Sequence, residues 1–520
     1  MITSSFLGRW IPWTVGLSDV KIKAVVERKF FADMDIVNSC GVNGLMKLWL
    51  YQHYILSRLA WPFLINDFCL SFSVSLEKRC RLQLKRWAGL FKGADVGCLF
   101  RSRSNFGLGL TSARQYFVKM QFIKTSILRS SQDPDVKALQ EARSARFRSF
   151  RARWSPYQLA DELEADVSHA LKFQSQDGRL GLGHGKFVKV SDVSSKARRN
   201  HAASLLRQQQ QDVHLVHAHD LARQGVWVRW HDSTLPFDLS WKNLIFGPGP
   251  HLIKFVLNAT INSVRTPDAV KLWGYVKDDT CRLCDGSSSC TLHHQISSCP
   301  KALQQGRFTW RHNSVLVNIR DSLVRHIVKV NGMPKNKGPV VPDITDSFVA
   351  KGTSSSIQRK VAPPHVSSLL DGANDWEVLF DLDNLLVFPP EVYSTSARPD
   401  IVLISHSLHT VILIELTVPA EEGIEAAHKR KLAKYSGLVS SINDNASPWS
   451  ARILTLEIGA RGYVPNSASR LFRNLGYGKK HCSSLCKTLS LIAAKCSYAL
   501  HLAHSSKRWE KRTYILLDSA

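Results

Sequence analysis

Cys281, Cys284, His294 and Cys299 stand in the spacing C-x2-C-x9-H-x4-C, and no other feature of the chain restricts its folding as strongly. A close thiolate pair on a turn, followed by a distal histidine and cysteine, can close a tetrahedron about Zn²⁺. Either His293 or His294 can supply the nitrogen, and Cys290 can substitute locally for a neighbouring thiolate. A closed four-ligand site leaves no position for water, so the ion is expected to stabilise a small fold and not to catalyse. The chain has 11 cysteines, an odd number, and four of them crowd between Cys281 and Cys299. That pattern points to a reducing compartment and a metal site in preference to a disulfide framework.

At 520 residues the chain is long for one core, and about two to four domains are expected. Hydrophobic residues at 44% and charged residues at 21% exclude a largely disordered or collagen-like chain. The formal net charge of +27 suits a polyanion as partner, with nucleic acid, DNA or RNA, the first candidate. A membrane role is not expected, because no apolar run reaches the roughly 18 residues a span requires. Even the stretch from Leu45 to Leu76 carries Lys47, Arg58 and Asp67. The N-terminus lacks the basic segment and apolar block of a secretion signal.

The spacing of bulky apolar residues predicts a mainly α N-terminal half. Residues 1–150 read as helical, with LMKLWLYQHYILSRLAWPFL broken at Pro62, and VSLEKRCRLQLKRWAGL as a further helix. Residues 151–270 read as a basic helical connector, 271–330 as the zinc finger with its following helix, and 331–373, rich in Pro, Gly and Ser, as a linker. From 374 to 520 short β-rich runs alternate with helical segments, the pattern of an α/β domain. Arg143, Arg146, Arg151 and Arg153 are interleaved with Phe147, Phe150 and Trp154, a composition suited to phosphate contact and base stacking. A solvated helix face with snorkelling stems is the bland alternative. His214, His217 and His219 lack a cysteine or carboxylate pair to complete a metal site. Glycines 178, 181, 183 and 185 are not read as a phosphate loop, because Phe187 follows Gly185-Lys186 where Ser or Thr is needed.

Arg398-Pro399-Asp400 opens the apolar run IVLI, SHSLHT turns the chain, and VILI leads into Glu415. If Ser405 to Thr410 form the loop, Ile404 pairs with Val411, and counting outward sets Asp400 opposite Glu415 with Cβ atoms roughly 5 Å apart. Like charges that close require a proton or a cation between them. Mg²⁺ takes oxygen ligands of this kind and can activate water towards a phosphodiester. A strand-end pair neutralised by Arg398 is the structural alternative. A helix is expected from Glu421 to Val439, with Glu421, Glu422 and Glu425 at its positive end. Ile424, His428, Lys431, Tyr435 and Leu438 share one face, with Lys431 near the centre, Lys434 at the edge, and Lys429 and Arg430 pointing away.

These residues resemble the PD-(D/E)xK nuclease pattern. The longer strings RPDIVLI, VILIELTVP, EEGIEAAHKRKLAKY and EIGARGY resemble the restriction-enzyme-like endonuclease of site-specific non-LTR retrotransposons, over most of 376–476. Thr417 stands where the basic pattern has lysine. In the retrotransposon branch the lysine lies on the following helix, which fits Lys431 with Tyr435. The zinc spacing followed by ALQQGRFTWRHNSVL resembles the family's finger, and the two N-terminal helical strings resemble thumb helices that follow a reverse-transcriptase palm.

The resemblance implies a C-terminal restriction-endonuclease-like α/β domain, with Asp400 and Glu415 holding Mg²⁺ and Lys431 and Tyr435 in catalysis. It also implies a nuclear enzyme that nicks target DNA, leaving a 3′-hydroxyl that primes reverse transcription. The polymerase palm is expected to be missing: Phe31 to Asp35 imitates an FADD box with Met34 between its acids, and Asp278-Asp279 adjoins the zinc motif. On that reading the chain is the C-terminal part of a polyprotein, with reverse transcriptase supplied by an intact element. The alternative is an inactive remnant that binds nucleic acid through its zinc finger and basic helices. A protein-binding zinc scaffold accounts least well for the charge.

Overall fold

The computed structural model describes residues 3–6, 9–12, 19–91, 93–149, 154–166, 194–230, 234–235, 237–284, 286, 288–332, 368–444 and 448–510. They fall into two compact units, one of residues 1–228 and 239–263, the other of 229–238 and 264–520. The chain is mostly helical, with one four-stranded mixed sheet. No described helix is long and apolar enough to cross a membrane.

The first unit is built on α1 (Asp19–Ser39), α2 (Leu70–Ala88), α3 (Ala113–Ser130), α4 (Pro134–Ser149), α5 (Ser195–Asp220) and α6 (Pro250–Thr260). Gly89, at φ +67°, ends α2 in the left-handed conformation that lets its N–H reach the Arg86 carbonyl. Ser112 and Gln115 close a capping box at the start of α3. The segment expected to break at Pro62 bends instead. A wide turn at Tyr51–Ile55 and a tight one at Leu56–Leu59 precede a short helix, Ala60–Ile65, that contains the proline. Proline disturbs the turn before it, where its ring meets the carbonyl four residues back, so the irregularity falls upstream. Phe31 to Asp35 lies within α1, where Asp33 accepts from Arg58 at 2.8 Å.

In the second unit α7 (Arg307–Asn331) precedes β1 (Trp376–Phe380), β2 (Ile401–Ser405) and β3 (Thr410–Thr417); then come α8 (Ile424–Asp444), β4 (Ser450–Glu457), α9 (Asn466–Asn474) and α10 (Lys479–Ala503). The sheet runs β1-β2-β3-β4, antiparallel except for the parallel β3-β4 pair. Both faces are covered, which is why β2 is buried along its whole length. Ile401, Leu403, Ile412 and Ile414 pack with Leu316, Ile319 and Leu323 of α7 and Leu489 of α10. Val402, Ile404, Val411 and Leu413 pack on the opposite face with Ile442 of α8 and with Trp449.

The zinc-motif segment, α7 and the sheet thus share one compact unit, where the sequence suggested separate segments. The ends of the expected linker meet: the Asn331 side chain donates to the Trp376 carbonyl at 2.9 Å and accepts from its N–H at 3.1 Å. Residues 333–367 of that segment, and the four glycines between 178 and 185, lie outside the described residues.

Candidate active site and metal centre

The β2-β3 register places Ile404 opposite Val411 and Ile401 opposite Ile414, as the pairing count predicts. The ladder continues to Ser405 and Thr410, so the loop is shorter than expected. Asp375 explains the tightening: its carboxylate accepts from the Ser405 and Ser407 hydroxyls and from the Ser407 N–H. Asp400 sits just before β2, where its N–H donates to Glu415 Oε1 at 3.2 Å and its Oδ2 accepts from the Leu416 N–H at 2.8 Å. The carboxyl groups therefore meet at one end of the sheet, on the face covered by α8.

The helix carries its stripe as expected. Tyr435 is buried, and its hydroxyl donates to the Arg398 carbonyl at 2.9 Å. Lys431 Nζ donates to Glu415 Oε2 and lies 3.6 Å from Asp400 Oδ2. Lys434 reaches the Tyr435 hydroxyl at 2.8 Å, and Lys429 pairs outside with Glu425. The Arg398 guanidinium turns to the Asn384 carbonyl, so Lys431 is the cation found on the carboxylates. The start of the helix departs from the dipole picture. Glu421 and Glu422 both accept from the buried guanidinium of Arg461, at 2.8 and 2.9 Å, because burial makes a paired carboxylate far cheaper than a merely dipole-stabilised one.

Burial and the neighbouring Asp400 charge push the Glu415 carboxyl up. Burial acts in the same sense on Asp400, but the His312 hydrogen bond and charge, with Lys431, hold it below its ordinary range. Two carboxyls driven apart in this way share one site in which the second negative charge needs a cation. The Thr417 hydroxyl, two residues beyond Glu415 on the same strand face, is buried without a hydrogen-bond partner among the described residues. Hard oxygen donors, an ammonium standing on both carboxylates and an orphaned hydroxyl fit a divalent cation such as Mg²⁺.

His312 of α7 completes this side of the site. Its Nε2 lies 3.4 Å from Asp400 Oδ2 and 3.3 Å from the Leu416 carbonyl, and Nδ1 is 3.1 Å from Asn313 Oδ1. Beside it, the buried Arg311 donates to the Ile296 carbonyl at 2.7 Å, the Ser497 hydroxyl at 3.0 Å and the Val418 carbonyl at 2.7 Å. One guanidinium thus joins the turn that carries the zinc motif, α10 and the end of β3. Both residues lie in the string WRHN, which carried no individual role in the sequence; neither periodicity nor charge marks an arginine that will be buried.

The zinc motif forms a cluster. The ligand atoms of Cys281, Cys284, His294 and Cys299 all lie within 4.8 Å of one another. The turn that presents the first pair is fixed by the Gly286 N–H donating to the Cys281 carbonyl, with Gly286 at φ +77°. His293 turns away, with Nδ1 3.3 Å from the Ser298 hydroxyl, so His294 is the histidine that joins the cluster. Burial pushes the Cys299 thiol up to about 11, with Cys281 and Cys284 adding to it, and burial lowers the His294 imidazole. A neutral imidazole and a Cys299 thiol that resists ionising without a cation, gathered with two further thiols, fit zinc. A second triple, Cys281, Cys290 and His504, adjoins it, with His504 Nε2 3.1 Å from Cys281 Sγ. Asp279, at the edge of the motif, accepts from Lys271 and Ser289.

Cys284→Ser is expected to lose the equivalent of zinc that the wild type carries. His504→Ala is expected to keep it with roughly 10- to 100-fold weaker affinity, as for the loss of a residue that orients a ligand. Metal analysis and competition with a chelator read both, and a wild type purified without zinc contradicts the assignment.

The arginine–aromatic segment is corrected at its first member. Arg143 is buried, its Nε 2.9 Å from both oxygens of Asp67, with Tyr157 and Gln121 around the guanidinium. An arginine spent on an internal bidentate pair is not offered to phosphate. Arg151 and Arg153 lie outside the described residues, as does the side chain of Arg146. In α5, His214 stacks on Phe100 and His217 lies 3.7 Å from Asp95, both contacts within the first unit. No family model matches the chain, and comparison with curated proteins finds no match.

Proposed function

We propose that this chain is a metal-dependent DNA endonuclease that nicks one strand of its target and leaves a 3′-hydroxyl. The observation that carries the reading is the meeting of Asp400 and Glu415 at one sheet end under Lys431. Mg²⁺, when bound, supplies polarisation of the phosphate and of an attacking water. Asp400 and Glu415 would hold it, with His312 and the Leu416 N–H fixing the Asp400 carboxylate. Lys431 is placed to leave the carboxylates for the phosphoryl oxygens, where negative charge grows as the bond to phosphorus forms. Tyr435 holds Lys434 and the backbone of Arg398, keeping the strand end and the helix together.

The net charge of +27 supports a polyanionic substrate, and the zinc cluster supports a rigid frame behind the site. The fold of the C-terminal half as a restriction-endonuclease-like domain, the retrotransposon origin, the nuclear setting and the polymerase supplied by another chain belong to this proposal through the sequence resemblance. Arg146, Arg151 and Arg153 remain its candidate phosphate contacts. The test is nicking of supercoiled plasmid by the full chain with and without Mg²⁺.

A further inference from the structure

Lys431 and Tyr435 share their face of α8 with a third polar side chain that the proposed mechanism does not use. His428 lies three residues before Lys431, with Nδ1 2.6 Å from the Thr455 hydroxyl and 3.1 Å from Glu457 Oε1. The two ends of this pair differ sharply in environment: the Glu457 side chain is 3% exposed, and that of His428 is 44% exposed. Thr455 is the β4 partner of Glu415, and Glu457 the partner of Thr417. Adjacent strands lie about 4.8 Å apart, so the imidazole stands one strand over from the carboxylate centre.

A carboxylate accepts hydrogen bonds and gives none, so Glu457 favours the tautomer with its proton on Nδ1. Both short contacts are made by Nδ1, which leaves Nε2 uncommitted among the described residues. A buried carboxylate that fixes the tautomer of a solvent-facing imidazole is the arrangement by which proteins present a basic nitrogen to a substrate.

We infer that the His428–Glu457 pair is the general base of phosphodiester hydrolysis at the neighbouring carboxylate centre, an inference that rests on the nuclease reading. In this step His428 Nε2 takes a proton from the attacking water, and the water oxygen forms a bond to phosphorus. The bond from phosphorus to the 3′-oxygen breaks with its electron pair on oxygen. That oxygen takes a proton from solvent, and the imidazolium returns its own proton to solvent. One water is consumed, and the products are a 3′-hydroxyl and a 5′-phosphate. Glu457 acts as a positioning residue behind His428.

Nicking of supercoiled plasmid by the full chain in Mg²⁺ tests this, with DNA affinity and melting temperature measured alongside. His428→Ala is expected to nick about 10²-fold more slowly than wild type with DNA affinity unchanged, and to melt below wild type because the buried Glu457 loses a partner, so rates are compared well below the melting temperature of either. Free imidazole in the buffer should restore part of that rate in His428→Ala and none in Lys431→Ala. Glu457→Gln should slow nicking about 10-fold and abolish the hydrogen-bonded imidazole proton signal assigned to His428 by isotope-labelled histidine. Lys429→Ala, on the outer face, should match wild type. His428→Ala cleaving at the wild-type rate overturns the inference alone, as does a lowered rate that imidazole leaves untouched. A wild type that never nicks overturns the nuclease reading and this inference with it, whatever the imidazole signal reports.

Discussion

Asp400→Ala and Glu415→Ala are each expected to abolish the proposed Mg²⁺-dependent nicking, whereas Lys431→Ala should keep DNA binding and lose roughly 10²-fold or more in rate. The contrast follows from what each side chain offers. The two carboxylates are the oxygen donors at the sheet end, and removing either leaves too few ligands for a divalent ion. Lys431 is a charge on a flexible stem, and its gain comes where charge develops in the transition state, so its loss appears in rate. Binding to a labelled duplex and initial nicking rates separate the two effects. If Lys431→Ala cleaves at the wild-type rate while Lys434→Ala is inactive, the lysine at the edge of the stripe carries the chemistry.

Arg311→Met should cost about 3 kcal/mol or more in stability, a fall in melting temperature on the order of 10 °C for a unit of this size, and should weaken zinc retention. Its guanidinium serves three acceptors from three parts of the unit, the carbonyls of Ile296 and Val418 and the hydroxyl of Ser497. A methionine of similar length fills the space and leaves those groups unpaired in a buried setting, each at about 1–3 kcal/mol. Arg311→Lys should recover little of the loss, since a single ammonium cannot span the same fork. Val418 directly follows β3 and His312 directly follows Arg311, so nicking is expected to fall together with zinc content. Melting curves, with metal analysis of the same preparations, check it; a variant that melts with wild type and retains zinc removes Arg311 from the joint.

The parts of this molecule legible in the sequence are those written in local periodicity. A two-residue alternation fixes which side chains of β2 and β3 share a face, and a single loop length then fixes the pairing that brings Asp400 to Glu415. The helical period places Lys431 and Tyr435 on the sheet side of α8. Ligand spacing selects the zinc quartet, and only the choice between His293 and His294 requires the fold. What local pattern does not carry is the partner of a lone polar residue. Arg311 and His312 come from a helix almost a hundred residues before the carboxylates, and Arg461 finds Glu421 forty residues away. Arg143 shows the same limit in reverse, because clustering beside other arginines says nothing of Asp67, 76 residues earlier. The Pro- and Gly-rich composition of 331–373 reads as a boundary between domains, and the pairing of Asn331 with Trp376 across that stretch is a contact no local pattern announces.

Nicking of supercoiled plasmid by the full wild-type chain is the most direct test of the central claim. The account predicts open-circular product in Mg²⁺, none in EDTA, and nicks that a polymerase extends without prior treatment, because the broken strand ends in a 3′-hydroxyl. Plasmid that stays supercoiled in Mg²⁺, while the same protein is folded, zinc-loaded and bound to DNA, contradicts it and leaves a nucleic-acid-binding protein whose carboxylate centre is inert.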